Sequence, residues 1–477
     1  MPDAIVVGAG PNGLAAAVIL ARAGLAVEVH ERAEAVGGAV RTREADGFRY
    51  DVGAAVHPMA LGSPFFRSFG LADRIDFAVP EISYAHPLPD GRTGVAFRSL
   101  DATAGALGGD GGAWRRALGP LVKRIDAVSD ASGGVLLPRP GALGGFATIA
   151  LAAAPHVLGL TGALFRDDVA PALLAGAFAH GFARIPRVPS VGAGLVLAAH
   201  AHARGWPIPR GGSQAIADAL AADLVAHGGV IRTGSPVDDV RALPPARAIL
   251  LDLVPRDVLR VAGARLPERY ARTLRRWRHG PAAFKVDYAL SRPIPWRDDA
   301  ARRAGTVHLG GTLGDIRRAE AAVVSGRMPE RPFILLAQPS LFDPGRAPVG
   351  RHTAWAYAHV PHGWKGDATP VIDAAIEEHA PGFRDTVLAR ISTGPAALEA
   401  MDHNLVGGDI SGGAMTTFQT LARPVAGYAP WRSPVPGLYL CSSSTAPGGG
   451  VHGMGGWNAA RLALRDVFGL EMPELGP

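Results

Sequence analysis

The segment Gly8-Ala9-Gly10-Pro11-Asn12-Gly13 follows the apolar run Ala4-Ile5-Val6-Val7 and precedes an Ala- and Leu-rich stretch from Leu14 to Arg22. That order limits the folds open to the 477-residue chain more than any other feature. The run reads as a buried parallel strand and the stretch as a helix, which Gly24 ends. Leu25 to His30 reads as the next strand, closed by Glu31. Each glycine has its own task. Gly8 permits the tight turn, Gly10 admits backbone N–H groups to a pyrophosphate, and Gly13 lets helix and strand pack closely. The helix N-terminus faces the phosphate charge. Glu31, 18 positions after Gly13, stands where an acid accepts hydrogen bonds from an adenosine ribose. Strand, turn, helix, strand and acid in this order predict a dinucleotide-binding α/β fold.

A second glycine pair follows in Val36-Gly37-Gly38-Ala39-Val40-Arg41-Thr42, and it would lay a loop against a diphosphate and ribityl chain. With Gly47-Phe48-Arg49-Tyr50-Asp51-Val52-Gly53 and His57-Pro58, the region resembles flavoproteins of the phytoene-desaturase and amine-oxidase superfamily. Such proteins often carry Arg directly after the paired glycines. Here Ala39 stands in that place, and the phosphate role passes to Arg41.

The other end of the chain points to FAD independently. Gly437 to Cys441 reads as a short strand, followed by Ser442 to Thr445, Pro447-Gly448-Gly449-Gly450 and Val451 to Asn458, with a helical run from Ala459 to Phe468. A Gly-rich loop opening a helix brings N–H groups and the positive helix end against an anionic group. That suits the negative charge near N1 and O2 of a reduced flavin. The segment resembles the C-terminal FAD segment of phytoene-desaturase-like proteins, with Ser442 or Ser443 where many relatives place a ribityl-binding acid. Cys441, the single cysteine, reads as a packed thiol in the strand.

Mid-chain, Pro209 to Gln214 precedes a helix from Ala215 to His227 with Ser213 as N-cap, stopped by Gly228-Gly229. Residues 230–233 and 236–240 read as strands, and 248–253 as a further buried strand. The resemblance implies a backbone contact to adenine at Val237. The expected fold is therefore α/β: a three-segment Rossmann-type FAD-binding domain (1–75, 206–263 and 435–477) with an interleaved α+β substrate domain (76–205 and 264–434). The expected FAD contacts are Gly8, Gly10, Pro11, Asn12, Gly13, Glu31, Arg32, Gly37, Gly38, Ala39, Arg41, Val237, Ser442, Ser443, Gly450, Gly453 and Met454.

The sequence has no second GxGxxG set between a strand and an acid, and so no separate NAD(P) domain is expected. Substrate would reduce FAD directly, and an acceptor such as oxygen or a quinone would restore it. Phe284 to Leu290 alternates like a strand and resembles the amine-oxidase strand whose Lys holds a water at flavin N5, here Lys285. The other reading of Lys285 is a strand lysine paired with an Asp. His57 and His452 adjoin flavin segments and are candidates for acid–base groups or plain hydrogen-bonding residues. Trp457 and Tyr428 read as aromatic walls or as core. His308, His352, His359, His362 and His403 have no zinc spacing, and no metal is assigned.

Composition narrows the partners. The net charge is +6, and only three of the 48 basic residues are Lys. The arginines are scattered without a run, which gives no footprint for nucleic acid. Gly141 to Phe165 holds no Asp, Glu, Lys or Arg, yet six glycines and prolines interrupt it. It reads as apolar helices over a substrate tunnel, with peripheral membrane contact, rather than as a spanning helix. No secretory pattern precedes Ala4, and a cytoplasmic location is expected. The resemblance extends to the branch of pyridine-nucleotide-disulphide-oxidoreductase-domain protein 2. It implies dehydrogenation of a small hydrophobic molecule, terpenoid- or lipid-like, by hydride transfer to flavin N5. The alternatives are a flavin amine oxidase and a non-catalytic lipid or prenyl carrier of the same fold.

Overall fold

The computed structural model describes residues 1–476. Strand Ala4–Val7 is buried throughout, as a short run of apolar, mainly β-branched side chains requires. It is the central strand of a five-stranded parallel sheet ordered Leu438–Leu440, Ala248–Leu251, Ala4–Val7, Val27–His30, Val230–Arg232. Pieces from the start, the middle and the end of the chain thus share one sheet. The α/β class expected from the sequence is the one observed.

Helix Pro11–Arg22 starts three residues ahead of the predicted Leu14, because Pro11 at the first turn lacks only an N–H that would have no helical partner. The helix is buried on nearly every side, between helices Gln214–Ala226 and Met454–Ala463. Glycine makes the second contact close. A Cβ on Gly456 would lie 1.9 Å from the Asn12 carbonyl oxygen, and one on Gly455 would lie 2.2 Å from that of Cys441.

A seven-stranded sheet forms the second layer, ordered Val387–Thr393, Ala282–Leu290, His352–Val360, Ile334–Ala337, Ala304–Leu309, Ile82–Pro87, Thr93–Phe97. Its pairs are antiparallel except the one joining Ala304–Leu309 to Ile82–Pro87. The apolar helices Val169–Ala179 and Val188–Ala203 pack within its core, and Val169–Ala179 is buried along its whole length.

Several local expectations change. Residues 236–240 are not a strand. Pro236 brings no N–H to a ladder, and the Asp239 carboxylate accepts the Arg241 N–H at 2.8 Å, turning the chain into a short 3-10 turn at Val240–Ala242. Ser213 does not cap its helix, because its hydroxyl donates to the Ala54 carbonyl. The last long helix begins at Met454, five residues before Ala459, after Gly453 with φ +67°. Gly141 to Phe165 becomes helix Leu143–Val157 and a short turn at Gly162–Leu164. Among the described residues no helix is long and apolar enough to cross a membrane.

Candidate active site

The strands of the parallel sheet end at a cavity of about 800 Å³, and the seven-stranded sheet lies along it. Its wall includes Gly10, Pro11 and Asn12. It also includes Lys285, Trp355 and Tyr357, and apolar residues of helix Leu143–Val157, among them Phe146 and Ile149.

The glycine turn is built as its spacing requires. Gly8 has φ +101°, and a Cβ on Gly13 would stand 2.0 Å from the Gly8 carbonyl oxygen, so no other residue fits that position. Gly37, at φ +115°, donates its N–H to the Ala9 carbonyl at 2.8 Å and lays the second glycine loop on the first. A Cβ on Gly38 would lie 3.4 Å from Gly10 Cα. Asn12 Oδ1 accepts the Gly455 N–H at 3.1 Å, which ties the starts of helices Pro11–Arg22 and Met454–Ala463 together. Two helix N-termini and two glycine loops thus converge, an arrangement that receives a diphosphate through backbone N–H groups.

Acids surround this turn. Glu31 closes its strand as expected, and its carboxylate accepts from the N–H groups of Ala9 at 2.7 Å and Ala33 at 2.8 Å. Two further acids in the cavity wall, Asp252 and Asp402, were not singled out from the sequence. Asp252 Oδ2 accepts the Gly13 N–H at 2.9 Å. Burial pushes its carboxyl up to about 8, with Asp402 and Glu31 adding to the rise. Burial likewise raises Asp402. A neutral carboxyl both donates and accepts, which suits the hydroxyls of a ribose or ribityl chain rather than a phosphate. The sequence carried a signal for Asp252: it follows buried strand Ala248–Leu251 as Glu31 follows Val27–His30.

Lys285 is paired with an Asp, the second of its two sequence readings. It lines the cavity, and its ammonium is bound to Asp287 two residues along the same strand. Arg43 reaches the same carboxylate at 3.0 Å. Burial lowers the lysine and raises the aspartic acid. His57 and His452 also line the cavity. His57 Nε2 lies 2.7 Å from Ser213 Oγ, whose proton goes to the Ala54 carbonyl, and so the imidazole is the donor. Its Nδ1 is buried without a partner. His452 Nδ1 accepts the Met454 N–H at 3.1 Å and braces the glycine loop. Burial lowers both histidines to about 4 and keeps them neutral near pH 7.

The remaining candidates divide. Ala39, Ser443 and Gly450 line the cavity. Arg41 does not, because its guanidinium donates to the carbonyls of Gly38 at 2.9 Å and Met401 at 2.6 Å. Arg32 is exposed beside Asp238, 3.8 Å away. Val237 is buried against Ile5 and Val7. Ser442 Oγ donates to the Leu253 carbonyl at 2.8 Å, and the Met454 side chain joins the core. Neither aromatic wall is found where expected. Tyr428 is 64% exposed, while Trp457 packs edge-on against Phe65. Cys441 is fully buried, and burial raises its thiol well above the usual range, as suits a packed side chain.

Comparison with known proteins agrees with this geometry. Residues 12–464 match the family described as flavin containing amine oxidoreductase. The chain is 29% identical to the rat pyridine nucleotide-disulfide oxidoreductase domain-containing protein 2, over 98% of this chain and 94% of that one. It is also 29% identical to a phytoene dehydrogenase of Streptomyces griseus, over 81% and 78% of the two chains. Among solved structures, a triple mutant of putrescine oxidase superposes with a TM-score of 0.61 at 18% identity, over 98% of this chain and 99% of that one. Cyclohexylamine oxidase from Brevibacterium oxydans superposes with a TM-score of 0.58 at 14% identity, over 98% of each chain. The chain belongs to the flavin-containing amine oxidoreductase family and is an FAD-dependent oxidoreductase.

Proposed function

We propose that the protein dehydrogenates a hydrophobic, terpenoid- or lipid-like molecule and passes the electrons to oxygen or a quinone. One observation carries this reading: the cavity that begins at the glycine turn continues without a break into apolar helix faces. FAD, when bound, supplies the hydride acceptor. In this reading residues 1–75, 206–263 and 435–477 hold the cofactor, while 76–205 and 264–434 enclose the substrate. Gly8, Gly10, Gly13, Gly37, Gly38, Ser443 and Gly450 are the proposed contacts.

The chain's own part is positioning and exclusion of water. Phe146, Ile149 and Leu197 surround the reacting part of an apolar molecule and keep solvent out. Lys285, held by Asp287, presents a fixed ammonium that orients a water or a polar atom beside it. His57 and His452, neutral and locally bonded, position their loops. Peripheral membrane contact fits the same reading. Leu143, Leu151 and Leu158 are 57%, 77% and 74% exposed, on or just after the helix whose other side chains line the cavity. A lipid surface under these leucines would deliver poorly soluble substrate directly, and co-sedimentation with anionic lipid vesicles is the expected result.

The test of function is anaerobic bleaching of the yellow holoprotein. Apolar terpenoid and lipid probes should bleach it, and NADPH alone should not. Bleaching by amines only would establish the amine-oxidase reading. Tight lipid binding with no bleaching by any probe would establish the carrier.

A further inference from the structure

Across the seven-stranded sheet, residues on one face fall into a row. Lys285 lies opposite Tyr357, Tyr357 opposite Leu335, and Leu335 opposite His308. Thr306, two residues from His308, shares that face and stands opposite Tyr84 on the next strand. Lys285, Tyr357, Leu335 and Thr306 all line the cavity, and so does His180 at the end of helix Val169–Ala179.

This part of the cavity differs from the apolar walls. His180 Nε2 lies 3.0 Å from His308 Nε2, so one ring donates to the other. Whichever tautomer holds, His180 keeps its Nδ1 as a further hydrogen-bonding atom. Thr306 Oγ1 and the Tyr84 hydroxyl are buried with no partner. Unpaired buried hydroxyls are costly, and folded chains retain few of them. Thr306 is fully buried yet forms part of the cavity wall, and a turn about its χ1 brings the unpartnered hydroxyl to a ligand atom in the cavity. Burial keeps His180 down to about 3 and His86 to about 4, which leaves these imidazoles uncharged. The nearby Glu320 is occupied by His359, at 2.7 Å, and both are fully buried. A carboxylate would find no counter-charge here.

We propose that this part of the cavity is a subsite for a neutral oxygen function, a hydroxyl or a carbonyl, on an otherwise apolar substrate. Thr306 and His180 hold that oxygen three strand spacings across the sheet from Lys285 and two residues along it, about 16 Å in all. The inference rests on the hydrophobic-substrate reading and specifies it: the molecule is apolar along most of its length and polar where it meets Thr306 and His180.

The test compares farnesol with farnesoic acid, farnesylamine and the hydrocarbon farnesene on the FAD-loaded protein. Binding is read by tryptophan fluorescence, since Trp206 and Trp355 line the cavity, and flavin bleaching is recorded separately. Farnesol should bind roughly ten-fold more tightly than farnesene or farnesoic acid, the worth of one added hydrogen bond. Thr306→Val should abolish that preference and leave farnesene affinity unchanged, while Thr306→Ser retains it. Equal affinities in the unaltered protein, or a preference that survives Thr306→Val, overturn the subsite alone. If none of the four binds, the hydrophobic-substrate reading falls with it.

Discussion

In the parallel sheet strands run end-on toward the cavity, so much of what reaches it is backbone, at the turn and helix start Gly10-Pro11 and at Gly449-Gly450, with the short side chains of Asn12 and Asp252 beside it. In the seven-stranded sheet the strands lie along the cavity, so alternate side chains face it, Lys285, Tyr357 and Thr306 among them. In the proposed reading the first arrangement binds the cofactor and tolerates almost no change. The second exposes replaceable side chains, each from a different strand, and so can be tuned to a substrate. In that reading one sheet fixes the chemistry and the other the selectivity.

The largest expected effect tests the backbone side of that contrast. Gly13→Ala places a methyl 2.0 Å from the Gly8 carbonyl oxygen, and the turn must open to admit it. A loss of about 3 kcal/mol or more and a colourless purified protein are expected, read by urea unfolding and visible absorbance. A yellow, stable Gly13→Ala protein would break the comparison.

Asp252→Asn comes next. The folded carboxyl, raised to about 8, binds a proton more tightly than the unfolded chain does. Its contribution to stability is therefore complete below the ordinary carboxylate range and is lost as pH rises toward 8. The slope across that window is about 1.4 kcal/mol per pH unit from this group. Asn keeps an acceptor for the Gly13 N–H and removes the slope, so the variant should be the more stable protein at pH 8 in cofactor-free urea titrations.

On the side-chain sheet, Lys285→Met leaves Asp287 buried with Arg43 as its remaining cation. A loss of about 3 kcal/mol is expected, largely recovered by adding Asp287→Leu. If both variants keep bound flavin, the two sheets separate as described. The smallest effect is expected from Arg41→Ala, which removes charged hydrogen bonds to two loop carbonyls. About 1.5 kcal/mol of stability should go, with a few-fold weaker FAD retention on dilution.

The same contrast explains what could be read from the sequence. Backbone sites need glycine at fixed spacing, and Gly8, Gly10, Gly13, Gly37 and Gly38 announce themselves within one short stretch. Asp252 bonds that same turn from 239 positions beyond Gly13, and its place after a buried strand is the one local hint of the encounter, while Asp402, in the same cavity wall, has no local mark. The side-chain row from Lys285 through Tyr357 to Thr306 depends on strand register, which no single segment encodes. Arg41 and Tyr428 misled for a related reason. A basic residue beside a phosphate loop or an aromatic near a flavin segment has the right chemistry, but its direction is set by distant partners such as Met401 and Pro138.

The close seam between Asn12 and Gly455-Gly456 joins residues more than 440 positions apart. As the chain leaves the ribosome, the first helix is made more than 440 residues before the segment that packs against one of its flanks. The glycine cradle therefore stays unclosed until Gly455 and Gly456 have emerged. Flavin retention would then report that synthesis has passed Gly456, and a chain cut short before Gly455 would have none of the colour.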